Sequence, residues 1–162
     1  MLQDALTGVV AGALGTVALN VATYADMAIR ARSSSGAPSQ LVGKLADKAG
    51  LPLSSKGVGS NDETAQNRES GLGALLGYVN GLGVGALYGL LRSQFVDVPI
   101  PLAATGVGLA AMAASDVPLV ALGVSNPKTW GVSGWASDAI PHLIYGLVTA
   151  IAYEALRNTD ER

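Results

Sequence analysis

The chain has 162 residues, is 49% hydrophobic, and carries a net charge of −2. Only 14% of its residues are charged, against about 25% in an ordinary soluble domain. With no cysteine it forms no disulfide, thiolate metal site or cysteine nucleophile. A single histidine precludes a multi-histidine metal site within one chain, and the lack of a basic patch argues against nucleic acid as a partner.

In chain order, residues 5–25 contain no charge, enough at 1.5 Å per residue to cross about 30 Å of hydrocarbon. No Lys or Arg precedes them, so the segment reads as a retained first span over about 5–29 rather than a signal peptide. Gly8, Gly12 and Gly15 give it a small-residue face, and Thr16, Asn20 and Tyr24 follow at helical spacing. Residues 30–69 form a polar loop. Within it, 39–49 reads as a short amphipathic helix at the membrane surface, with Ser39 as its N-cap. The segment 54–61 reads as loop, and Asp62-Glu63-Thr64 as a helix start.

The second span is expected over about 70–92, and the third over about 102–124, where Pro118 frees backbone groups and kinks the helix. Trp130 and Trp135 then suit a membrane–water interface, and the fourth span follows over about 136–157. The expected fold is therefore an all-α, single-domain, polytopic membrane protein of four spans with one interfacial helix.

The second span carries Gly73, Gly77, Gly81, Gly85 and Gly89 at every fourth position. In water each interior glycine would cost roughly 1 kcal/mol of helix stability. In lipid, unbonded backbone is so costly that the helix persists, and the bare ridge lets another backbone approach closely. The ridge serves either packing within the chain or a seam between copies.

GLGVGALYGLLR at 81–92 and GLVTAIAYEALR at 146–157 share five of twelve residues at an offset of 65. Gly12 falls on Gly108, and Asn20 on Asp116, at an offset of 96. These matches suggest two parallel helical-hairpin repeats about a pseudo-two-fold along the membrane normal.

Polar residues inside spans are costly and often functional. Asn20, Tyr78, Asn80, Asp116, His142 and Tyr145 all fall in the same half of the bilayer under this arrangement. Asp116 is expected beside His142, with Asn20 across the pseudo-axis and the tyrosines as donors. Such a cluster either locks helix register or holds a proton, ion or small polar solute. Asp26, Asp138 and Glu154 lie near span ends, where exposure to water accounts for them.

The Lys and Arg count is seven against three in favour of the side bearing loops 30–69 and 125–134. That bias places these loops in the cytoplasm and both termini outside.

The segments GVVAGALGTVALNVATYADMAIR, MAASDVPLVALGVSNPKTW and WASDAIPHLIYGLVTAIAY resemble a family of small four-span actinobacterial membrane proteins of unknown function. The resemblance implies an integral membrane protein of the bacterial plasma membrane, and assigns no activity and no site residue.

No catalytic constellation, phosphate loop or metal motif is present in the sequence, so the chain is expected to be no enzyme and to need no cofactor. Its expected role is a structural or accessory module, packing with itself or with a larger membrane complex. The alternative is a small oligomeric transporter or channel using Asn20, Asp116 and His142.

Overall fold

The computed structural model describes residues 1–51, 53, 62–94 and 98–160. The loop expected over 54–61, the middle of the connection at 95–97 and the last two residues lie outside them. Five α-helices follow in order: α1 (Leu2–Arg30), α2 (Ala37–Lys48), α3 (Asp62–Arg92), α4 (Ile100–Ala121) and α5 (Gly131–Asp160). A single 3-10 turn, Pro127–Thr129, precedes α5. No strand occurs among the described residues.

Four helices are long and apolar enough to cross a membrane: Leu2–Arg30, Glu63–Arg92, Ile100–Ala121 and Gly131–Asn158. Only 22–33% of each apolar window is buried inside the bundle, so most of the span surface is left for lipid. Leu6, Val10, Leu14, Val17 and Val21 line such an outward stripe on α1.

Three boundaries differ from expectation. The third span ends at Ala121 rather than 124, because Gly123 takes a left-handed φ of 63° and turns the chain one turn after Pro118. The fourth starts at Gly131 rather than 136. There the Asn126 side chain accepts from the Lys128 amide at 3.1 Å and sets up the turn into the helix. α2 starts at Ala37, with Gly36 and not Ser39 at its N-cap and Pro38 in its first turn.

α2 is pinned to the bundle. Leu41 is buried, and Gly73 of α3 lies under the Pro38–Ser39 backbone, where a Cβ would sit 3.0 Å from it. Lys44 Nζ donates to the Leu122 carbonyl at 2.8 Å, beyond the end of α4.

Among the spans, α1 packs closely on both α3 and α5, and α4 packs closely on α5. The contact between α3 and α4 is sparse. α5 also reaches α3 across the bundle. Tyr145 OH donates to the Gly81 carbonyl at 2.6 Å and Tyr153 OH to that of Gly89 at 3.2 Å. Both partners advance eight residues between these bonds, so α3 and α5 run parallel in constant register.

Candidate functional site: the glycine crossing and the intramembrane polar groups

The five ridge glycines do not share one neighbour. Gly81, Gly85 and Gly89 face α1: a Cβ on Gly85 would meet the Gly8 carbonyl oxygen, and Gly12 Cα at 2.7 Å. A Cβ on Gly89 would meet the Asp4 carbonyl oxygen, and one on Gly81 the Thr16 hydroxyl. Gly73 is covered by α2, while Gly77 is exposed and has nothing within reach of a Cβ. The second hairpin has a matching crossing, where a Cβ on Gly146 would meet the Ala104 carbonyl oxygen, and Gly108 Cα at 2.8 Å.

The six polar residues separate into groups. His142 Nε2 lies 3.3 Å from Ser115 Oγ on α4. Its Nδ1 lies 2.8 Å from the Asp138 carbonyl and 3.5 Å from Asp138 Oδ1, one turn back on α5. The nearer carboxylate partner of His142 is thus Asp138 rather than the expected Asp116. Asp116 of α4 lies near enough to both for its carboxyl to sense their charge. Asp138 Oδ2 is buried and has no hydrogen-bond partner among the described residues.

Asn80 reaches this group from α3. Its Nδ2 donates to the Ala111 carbonyl at 3.2 Å, an oxygen that Ser115 Oγ also approaches at 3.3 Å. Tyr145 stays apart, fully buried, with its hydroxyl on Gly81. Asn20 and Tyr78 make no side-chain hydrogen bond among the described residues, and Tyr78 faces outward. Asn20 is half-buried and joins none of these hydrogen bonds. What assembles is Ser115, Asp116, Asp138 and His142 at the α4–α5 contact, with Asn80 alongside.

Water exposure does not account for Glu154 or Asp138 near the span ends. Glu154 meets Arg92 of α3 at 2.5 Å and Arg157 at 2.9 Å, and Arg92 also donates to the Val98 carbonyl at 2.7 Å. Arg92 is only 7% exposed. At the opposite end, Asp26 binds Arg30 and Arg32, each at 2.5 Å, and Arg30 bonds Ser133 at 2.7 Å and also Ser137, tying α1 to α5. Asp138 was the detectable member of the first group, since it precedes His142 by four residues on one helix face.

Comparison with known protein families, curated proteins and solved structures finds no match to this chain. The class is defined by the chain itself: an all-helical, multi-pass membrane protein with four candidate spans.

Proposed function

We propose that the chain is a non-enzymatic membrane module that packs with a second copy or with a larger membrane complex. Its setting is the bacterial plasma membrane, with residues 30–69 in the cytoplasm and both termini outside, as the Lys and Arg bias favours. Membership of the actinobacterial family and descent from a duplicated hairpin belong to the same reading. The paired crossings, Gly8 carbonyl over Gly85 and Ala104 carbonyl over Gly146, support the duplication.

The observation that carries the proposal is Gly77. Its ridge neighbours are filled by α1 and α2, whereas Gly77 presents bare helix to the outside. Bare helix is what a partner helix can approach closely. The test is native mass spectrometry of Gly77→Leu. Its fold should change by less than about 0.5 kcal/mol, as at other outward positions, while the assembly seen for the unaltered chain falls to single chains. Gly85→Leu is the control and should lose folded protein. Assemblies that survive Gly77→Leu unchanged would sink the seam.

A second reading rests on the nearness of Asp116 to Asp138 and His142. Two carboxylates offer each other only acceptors, so what they can share is a proton, with His142 and Ser115 beside it. As a relay, the pair should make Asp116→Asn and Asp138→Asn lose at least tenfold in proton flux into reconstituted vesicles, with assembly intact. Unchanged flux with less folded protein would assign the pair to helix packing.

A further inference from the structure

α1 and α5 meet closely where Gly15 lies against Tyr145 and Thr149. Toward the Arg30 end of α1 a groove of about 250 Å³ lies between them, lined by Ala22, Asp26 and Arg30 and, from α5, by Ala136, Ile140 and Pro141. From Ala22 to Arg30 it runs roughly 12 Å at the helical rise. Its lining is apolar but for Asp26 and Arg30, so charge is confined to the half toward Arg30.

That half carries more positive charge than negative. The Asp26 carboxylate is shared by the guanidiniums of Arg30 and Arg32, each at 2.5 Å. One carboxylate against two guanidiniums leaves one positive charge over. Neither arginine is sealed from its surroundings, since their side chains are 35% and 25% exposed. Neither is saturated, because a guanidinium has five N–H donors. Arg30 places four of them: Nε and Nη2 on Asp26, Nη2 again on Ser137, and Nη1 on Ser133. Arg32 places two, Nε on Asp26 and Nη1 on the Ser33 carbonyl. Ser133 Oγ accepts from Arg30, and its own proton has no acceptor among the described residues.

We infer that the Arg30 end of this groove binds the phosphate of an anionic bilayer lipid, with one acyl chain lying along Ala22, Ala136, Ile140 and Pro141. The charge selects an anion, and guanidinium groups match the geometry of phosphate oxygens. The depth selects a lipid. Arg30 is the last residue of the first candidate span, where hydrocarbon gives way to the polar head region. Trp130 and Trp135, with ring centroids 5.0 Å apart, flank the start of α5 and suit that same level. Basic pockets between membrane helices are where such headgroups bind. The width selects a chain over a helix: 250 Å³ spread over 12 Å is about 5 Å across, against 10–12 Å for a helix with its side chains. A free phosphate ion would meet the charge and leave the apolar half empty.

The test is native mass spectrometry of the detergent-purified chain, titrated with anionic phosphatidylglycerol and separately with zwitterionic phosphatidylethanolamine. The unaltered chain should take one phosphatidylglycerol about tenfold more tightly than phosphatidylethanolamine. Arg32→Gln removes the excess charge and keeps the bonds of Arg30 to α5, and should weaken phosphatidylglycerol about tenfold, the value of a hydrogen bond to a charged group. Lys48→Gln is the control, an equal change of charge on an exposed position of α2, and should bind as the unaltered chain does. Equal losses in the two variants would mean diffuse attraction and overturn the site. Equal affinity for the two lipids would overturn it as well, and decides alone if Arg32→Gln does not fold. Displacement of the lipid by inorganic phosphate at equal concentration would assign the arginines to a free anion instead. The outcome is independent of the Gly77 seam, which lies outside this groove, and of the side of the membrane that Arg30 faces, since detergent exposes both ends.

Discussion

Arg92 and Glu154 meet from α3 and α5 with little solvent around them: their side chains are 7% and 14% exposed. Removing one partner of a buried pair leaves the other charge uncompensated. Glu154→Ala should therefore destabilise the bundle by roughly 3–5 kcal/mol, read by chemical or thermal unfolding in micelles. Asp26→Ala, at the more exposed cluster, should cost less, because exposed pairs are screened by solvent. Equal effects would mean that water reaches Arg92 freely. At this scale the sequence was informative about which residues are unusual and poor at pairing them. Glu154 has Arg157 three residues away on its own helix, while its closest partner is 62 residues distant. Spacing along the chain carries no mark of that contact. His142 differs, since one of its partners, Asp138, was visible at i−4 and the other, Ser115, required knowing which helices touch.

The helices themselves follow from apolar runs without charge, which is why all four spans are readable from residue order. Their ends depend on local turn chemistry, and there expectation slipped by three to five residues at Gly123 and Gly131. The glycine ridge shows what periodicity conveys and what it omits. Positions four apart on a helix drift by about 40° per step, so a run of five winds around α3. It meets α2 at Gly73, faces outward at Gly77, and meets α1 from Gly81 to Gly89. The spacing marks close approach; the neighbour at each step comes from the packing. α2 makes the same point: its amphipathic pattern suits a membrane surface, yet Leu41 is buried and Lys44 reaches the end of α4.

Across the whole molecule, an exact two-fold relating the hairpins would make α3–α4 resemble α1–α5, and it does not. Gly15 lets α1 settle onto Tyr145 and Thr149 of α5, whereas α3 and α4 are left apart at a cleft. None of this packing specifies which way the bundle faces, because helix contacts are indifferent to the side of the membrane on which they are inserted. Orientation rests on Lys and Arg outside the spans, and the absence of cysteine makes it directly testable. Single cysteines at Gln3 and Gln66, both exposed and at opposite ends of the bundle, can be offered a membrane-impermeant maleimide in whole cells. Gln3→Cys should label in intact cells, and Gln66→Cys only after permeabilisation, with at least a tenfold contrast between the two. The reverse pattern would place residues 30–69 outside and overturn the charge argument. It would leave the helix packing untouched, since Gly85 meets Gly8 and Gly12 whichever leaflet lies above them.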